Sequence, residues 1–260
     1  MPIPRKRFGQ HFLHDKSVIE RIIAVIAPKT EDHLVEIGPG QGALTVHLLA
    51  ALPQLEVIEI DRDLIPALEL RCQHKGRLIV YEADALTFDF QRLIETQDSR
   101  LRLVGNLPYN ISTPLIFHLL KYASHIQDMH FMLQKEVVDR MAAMPGHADY
   151  GRLSIMVQYH CQVTQLFDVS RTAFYPPPQV ESSIVRLAPY QQIAERAADY
   201  RHFEMVVREA FSHRRKTLKN SLKNLVSAQI WHALAIDPLL RPEQVPVRDF
   251  VKISNQVVNL

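Results

Sequence analysis

Along its first two thirds the chain alternates short apolar runs of strand character with segments whose apolar residues recur at helical spacing, and nothing else in it narrows the choice of fold as much. The runs are HLVEIG (33–38), LEVIEI (55–60), RLIVYE (77–82), LRLVG (101–105), MHFML (129–133), LSIMVQY (153–159) and SSIVRL (182–187). Segments such as 43–51 and 114–122 carry the helical pattern between them. Strand, helix, strand in repetition predicts parallel pairing, because only a crossover returns the chain to a parallel neighbour, and it places helices on both faces. From about residue 200 only helical patterns remain, interrupted at Pro238, Pro242 and Pro246. The expected fold class is α/β, followed by a second, smaller, all-helical domain.

The 260 residues, 47% of them hydrophobic, suffice for one full core and a satellite domain. No stretch approaches the roughly 18 unbroken apolar residues of a spanning helix, and Glu20 and Arg21 interrupt VIERIIAVIA. A soluble, unexported, cytoplasmic protein with no membrane partner is expected. Cys72 and Cys161 form no CxxC, and the thirteen histidines show neither HExxH nor a Cys/His cluster, so a reducing compartment and no metal are predicted. The net charge of +2 is unevenly spread. Between 201 and 223, seven basic residues stand against two acids, a local +5, which leaves −3 for the remainder. Such asymmetry predicts that one region meets a polyanion.

In an open parallel sheet the ligand lies beyond the carboxyl ends of the strands. The first strand runs into VEIGPGQGALT (35–45), where Gly38, Gly40 and Gly42 permit positive φ and close approach of a ligand to the backbone. The second ends at Glu59, twenty-one residues beyond Gly38, where a carboxylate can accept from both hydroxyls of a ribose. The third ends in YEADAL, with Asp84 able to accept from an adenine amine. Taken singly, a glycine turn is often only a tight turn, and a strand-end acid is often solvated surface. Three such features in consecutive units outline an adenosine site. The spacing GxGxG rather than GxGxxG disfavours a dinucleotide, whereas S-adenosylmethionine has an adenosine and no pyrophosphate.

The fourth run passes into LRLVGNLPYNIS (101–112). The exocyclic amine of adenine is a poor nucleophile, since its lone pair is delocalised into the ring, and an acceptor pulling on its hydrogens localises that pair. Asn106 offers such an acceptor, the proline after Leu107 stiffens the turn, and Tyr109 offers a flat face for an unstacked base. The order suits methylation of a flipped-out adenine; a helix-initiating turn with a buried tyrosine accounts for the proline alone.

GNLPYNIST and VEIGPGQGALT, with RKRFGQHFL (5–13), HFMLQKEVVDR (130–140) and AFYPPPQVESS (173–183), closely resemble the bacterial small-subunit ribosomal RNA adenine dimethyltransferases over nearly the whole chain. The resemblance implies a Rossmann-like S-adenosylmethionine-dependent methyltransferase domain over 1–190, with a basic N-terminal arm, and a helical RNA-binding domain over 199–260. It implies dimethylation of two adjacent adenosines in a hairpin loop near the 3′ end of 16S rRNA, in the immature small subunit, by an enzyme expected to be a monomer. It also implies that His11 and Leu13 cover the cofactor, Gly38 contacts its methionine part, Glu59 its ribose and Asp84 its adenine amine, while Asn106 lies between cofactor and target. The prolines of AFYPPPQVESS hold that segment extended, and by themselves they read as a rigid connector between strands. The resemblance makes Phe174 a second stacking ring opposite Tyr109 and gives no role to Tyr175.

REAFSHRRKTLKNSLKNL (208–225) reads as one amphipathic helix, with Phe211, Leu218, Leu222 and Leu225 buried and Arg215, Lys219 and Lys223 at intervals of four on another face. A solvated face is the ordinary explanation of such a stripe. The local +5 and the adenine chemistry elsewhere favour contact with an RNA backbone, which Arg5, Lys6 and Arg7 would extend. Two other readings share these features: a methyltransferase of large-subunit RNA, and an assembly or transcription factor that binds RNA without methylating it.

Overall fold

A computed structural model of the chain describes residues 10–94, 96–213 and 215–258. Arg5, Lys6, Arg7 and Arg214 lie outside the described residues. One compact unit runs to Val138 and takes up Thr164–Pro189; the other joins Asp139–Val163 to the chain from Tyr190 onward. Residues 139–163 thus belong with the carboxyl-terminal helices, although in sequence they interrupt the methyltransferase-like part.

The first unit opens with β1 (Phe12–Leu13) and α1 (Lys16–Ile26), then β2 (His33–Ile37), α2 (Thr45–Ala51), β3 (Gln54–Glu59), α3 (Ile65–Cys72), β4 (Arg77–Glu82), β5 (Leu101–Asn106), α4 (Ser112–Leu119) and β6 (Ile126–Gln134). After α5 (Lys135–Ala142) and α6 (Arg152–Gln158) come β7 (Cys161–Val169), β8 (Phe174–Tyr175) and β9 (Ser182–Pro189). The seven-stranded sheet has the order β4-β3-β2-β5-β6-β9-β7. From β4 to β6 every pairing is parallel, as the alternation predicts. β9 instead pairs antiparallel with β6, from Met129↔Leu187 to Gln134↔Ser182. Only a single 3-10 turn, Arg171–Ala173, and the short β8 lie between β7 and β9, so no helix carries the chain back over the sheet.

Local chemistry explains why α1 begins where it does. Asp15 accepts from the N–H groups of Ser17 (2.9 Å) and Val18 (3.2 Å), satisfying two donors that a helix start leaves open. Ile19, Ile22 and Ile26 then fall on one stripe and join Leu34, Leu48, Leu55 and Phe174 in the core.

LSIMVQY is not a strand: Arg152–Gln158 is helical, with four consecutive residues, Ser154 to Val157, buried. A short segment buried on all sides shows no periodicity, so its apolar run fits helix and strand alike. The strand comes next, in CQVTQLFDV, where Gln162, Thr164, Gln165 and Asp168 interrupt the apolar pattern of an edge.

The second unit also contains α7 (Tyr200–Ala210), α8 (Leu218–Ser221), α9 (Ala228–Leu234) and α10 (Val247–Val258). Asp199 caps α7 through the N–H groups of Arg201 and His202, and Phe203, Val206, Val207 and Ala210 form its buried stripe. The single helix expected over 208–225 does not exist. α7 stops at Ala210, and the N–H groups of Leu218 and Lys219 donate to the carbonyls of Leu240 (2.8 Å) and Pro238 (3.0 Å). Those donors would otherwise point back along a continuous helix; tertiary acceptors outcompete the local ones. Leu218 and Leu222 are buried as expected, Phe211 and Leu225 only partly.

At the amino-terminal edge of the sheet, Arg102 on β5 is 7% exposed and makes four hydrogen bonds. Nε and Nη2 reach the two oxygens of Asp128 (2.9 and 3.2 Å), Nη1 reaches Asp32 Oδ2 (2.6 Å), and Nη2 also reaches the Ile26 carbonyl (2.8 Å). Burial alone would raise the Asp128 carboxyl, yet the Arg102 guanidinium holds it below its ordinary value. This fork ties the end of α1, the turn before β2, β5 and β6 together. Arg102→Ala removes the guanidinium from two largely buried carboxylates, leaving Asp128 its longer contact with Arg186 (3.4 Å), and is expected to cost about 3–5 kcal/mol in urea unfolding. A loss below about 1 kcal/mol would show the network to be dispensable.

Candidate active site

Parallel crossovers leave β2 toward β3 and β4 on one side, whereas β5 and β6 lie on the other, so strand order reverses between β2 and β5. A crevice must open beyond the carboxyl ends of the strands at that point. A cavity of about 240 Å3 lies there, lined by residues 10–13, the end of β2 with its glycine turn, Glu59, Asp84 and residues 106–111. Gly38, Gly40 and Gly42 all have positive φ, at 68°, 55° and 80°. Gly105 answers a different need: a Cβ there would collide with the Ile37 carbonyl oxygen of the neighbouring strand. NLPY is therefore preceded by glycine because β5 passes hard against β2 just before the cavity.

The walls are rich in acceptors. Glu59, 4% exposed, takes one backbone donor on each oxygen, from Gly40 N–H (3.0 Å) and Asp61 N–H (2.8 Å). A carboxylate has about four acceptor positions, so each oxygen can still receive a hydroxyl. Burial raises the Glu59 carboxyl above its ordinary value, and the N–H groups of Asp61 and Gly40 pull the other way. Gln10 Nε2 donates to Asp61 Oδ2 (3.0 Å), so the QHFL segment also braces this turn. Asp84 Oδ1 accepts from Leu86 N–H (2.9 Å). Glu36 was not anticipated. It is 2% exposed, lines the cavity, and among the described residues its Oε2 has no hydrogen-bond partner. Burial pushes its carboxyl up to about 8, helped by the charge of Glu59, so it is mostly protonated at neutral pH. An acid inside a strand of five residues was the available signal.

Asn106 closes β5. Its Nδ2 donates to the His11 carbonyl (3.0 Å), which leaves Oδ1 as the free end of the amide beside the cavity. The His11 ring stacks on Tyr109, with centroids 5.8 Å apart and planes 27° from parallel, and its Nδ1 donates to the Pro176 carbonyl (2.7 Å). The antiparallel pair of β1 with β8 (Phe12↔Tyr175, Leu13↔Phe174) thus holds QHFL over the site. His11, Leu13, Gly38, Glu59, Asp84, Asn106 and Tyr109 all line the one cavity.

Phe174 does not. It is 2% exposed and packs in the core with Leu13 and Ile184, whereas Tyr175 is 60% exposed. Successive residues of a strand face opposite ways, and pairing with β1 turns Phe174 inward; the ring that faces Tyr109 here is His11. Sequence reading also missed Ser182, whose Oγ lies 2.7 Å from the Tyr109 hydroxyl. In the second unit Arg215, Lys219 and Lys223 are all exposed. They lie on a turn, on α8 and on the turn after it, so their spacing of four is not that of one helical face.

A glycine turn, a ribose-type carboxylate and a strand-end asparagine around the switch point of this sheet define an S-adenosylmethionine-dependent methyltransferase. The model of the ribosomal RNA adenine dimethylase family matches residues 3–258, and the chain belongs to that family. It is 57% identical to ribosomal RNA small subunit methyltransferase A of Pseudomonas aeruginosa, over 98% of this chain and 95% of that one. It is 56% identical to the protein of the same name in Chromohalobacter salexigens, over 97% and 91%. Among solved structures, a dimethyladenosine transferase from Plasmodium falciparum is similar with a TM-score of 0.80 and 30% identity, covering 94% of this chain and 96% of that one. The 23S rRNA methyltransferase ErmE shares the fold at a TM-score of 0.74 and 23% identity, covering 95% and 99%.

The cavity fits the cofactor of this family. Its acceptors, Glu59, Asp84 and Asn106 Oδ1, suit a ligand that brings ribose hydroxyls and amines, and the carboxylates among them would repel a pyrophosphate. Among the described residues no group of His, Cys, Asp and Glu side chains is arranged to hold a metal ion, and no helix is long and apolar enough to cross a membrane. Glu59→Ala removes a carboxylate that lines the cavity and frees two backbone donors, so cofactor affinity measured by titration calorimetry is expected to fall at least about tenfold. An unchanged Kd would remove Glu59 from the binding site.

Proposed function

We propose that this chain transfers methyl groups from S-adenosylmethionine to the exocyclic amines of two adjacent adenosines in a hairpin loop near the 3′ end of 16S rRNA, within the immature small subunit. The enzyme acts as a cytoplasmic monomer. The observation that carries this reading is the state of Asn106: its amide nitrogen gives one N–H to the His11 carbonyl, which fixes the amide plane and leaves Oδ1 as an acceptor beside the cavity. The identity of 54–58% to small-subunit methyltransferases supports the 16S substrate over the large-subunit alternative. The intact NLPY supports methylation over RNA binding alone.

Bound S-adenosylmethionine supplies a methyl group made electrophilic by its sulfonium. Asn106 Oδ1 accepts a hydrogen of the adenine amine, localises the nitrogen lone pair, and stabilises the positive N–H as the new bond forms. Among the described residues no backbone N–H reaches the carbonyl of Leu107, a residue that also lines the cavity. Once the methylated nitrogen has released one proton to solvent, the amine still holds one hydrogen, and Asn106 Oδ1 repeats its part. Tyr109, half-buried at the cavity, supplies the stacking face. Phe174 could reach the base only by leaving the core, so we assign stacking to Tyr109. Glu59 and Asp84 hold the adenosine end of the cofactor, and His11 and Leu13 cover it.

Asn106→Ala is expected to slow single-turnover methylation of unmethylated small subunits by about two orders of magnitude with RNA affinity nearly intact. A fully active variant would overturn the assignment. The exposed cations of the second unit make a separate prediction. Replacing Arg215, Lys219 and Lys223 together by alanine should weaken RNA binding and flatten its salt dependence by about 0.7 log units per lost phosphate contact, leaving cofactor affinity unchanged. An unaltered salt slope would mean that these residues form only a solvated surface.

A further inference from the structure

Tyr109 sits in the loop between β5 and α4, which by itself is a poor place from which to fix a ring plane. Two hydrogen bonds correct this. Ser112 Oγ donates to the Tyr109 carbonyl (3.1 Å), anchoring the backbone end, and the phenol hydroxyl lies 2.7 Å from Ser182 Oγ, anchoring the far end. Ser182 is fully buried at the start of β9, where it is the register partner of Gln134 on β6. β6 in turn pairs with β5, with Met132 opposite Asn106. The hydroxyl that meets Tyr109 is therefore carried by the same hydrogen-bonded sheet that carries Asn106, two strands away. Ser183 points to the other face and bonds the Phe167 carbonyl (3.1 Å), as strand alternation requires. Burial also raises the Tyr109 phenol above its ordinary value, so it stays protonated at neutral pH.

A ring tethered at both ends has no freedom about its two side-chain torsions, and a stacking platform is useful in proportion to that restriction. We propose that Ser182 is a positioning residue for the reaction, fixing the plane of Tyr109 relative to Asn106 so that a base stacked on the ring presents its amine to the acceptor. The inference rests on the reading of Tyr109 as the stacking face. It also gives the proline-rich segment before β9 a purpose, which is to deliver Ser182 to the Tyr109 hydroxyl while Phe174 stays in the core.

The test is a double-mutant cycle on the full chain, with unmethylated small subunits at saturating RNA and cofactor. Ser182→Ala and Tyr109→Phe should each lower the single-turnover rate about three- to tenfold, the worth of one neutral hydrogen bond, with cofactor Kd unchanged. The double variant should be no slower than either single one. Deficits that multiply, or a wild-type rate in Ser182→Ala, would overturn the proposal, because a serine that only supports the fold would not be silenced by Tyr109→Phe. If Ser182→Ala unfolds below the assay temperature, Ser182→Cys keeps the size and weakens the bond, and the same cycle applies. Tyr109→Ala separates the two levels. A wild-type rate there defeats the stacking reading itself, whereas a large defect there with multiplying deficits in the cycle defeats only the role of Ser182.

Discussion

The close approach of β5 to β2 is the constraint on which the rest of this structure depends. Strand order reverses across that pair, and the glycine before Asn106 is tolerable only as glycine because the Ile37 carbonyl occupies the space of a Cβ. With the two strands this close, Gly38 at the end of β2 and Asn106 at the end of β5 line one cavity. The glycine turn and the Asn106 amide thus share one wall. The Arg102 fork at the opposite edge of the sheet secures the same strands from below, linking β5, β6 and the turn before β2 through buried charge.

Around this seam several polar groups have definite partners. Each oxygen of Glu59 is steadied by one backbone N–H, and the turn that supplies one of them is itself braced by Gln10. Asn106 gives one N–H to the His11 carbonyl, His11 gives its Nδ1–H to the Pro176 carbonyl, and Tyr109 meets Ser182. Two segments far from NLPY in sequence, QHFL and FYPPPQVES, therefore set the orientation of its two functional side chains. The β1–β8 pair holds these segments together.

Much of the fold was legible because period and length seldom conflict in this chain. β2, β3, β4 and β5 fall where alternation and apolar runs place them, and Gly38, Glu59, Asp84 and Asn106 converge because topology compels strand ends to converge. The misreadings have particular causes. LSIMVQY is buried on all sides and so carries no period, CQVTQLFDV is an edge whose polar residues hide its strand, and 208–225 breaks where Leu218 and Lys219 find tertiary acceptors. Phe174 and Tyr175 are adjacent aromatics of similar size, and nothing in their order says which one faces inward.

By itself the sequence determined the parallel part of the sheet, the place of the cofactor turn and the chemistry available at each strand end, since these follow from local pattern and from the rule that parallel strands converge on one edge. The tertiary structure alone decided that Asn106 gives an N–H to the His11 carbonyl, that Glu36 lies buried beside the cavity with its carboxyl pushed up, that His11 rather than Phe174 faces Tyr109, and that Ser182 Oγ meets the phenol hydroxyl. The physical reason is the same in each case: a side chain's partner, protonation and facing depend on groups that folding brings near from remote parts of the chain, and local pattern carries no record of them.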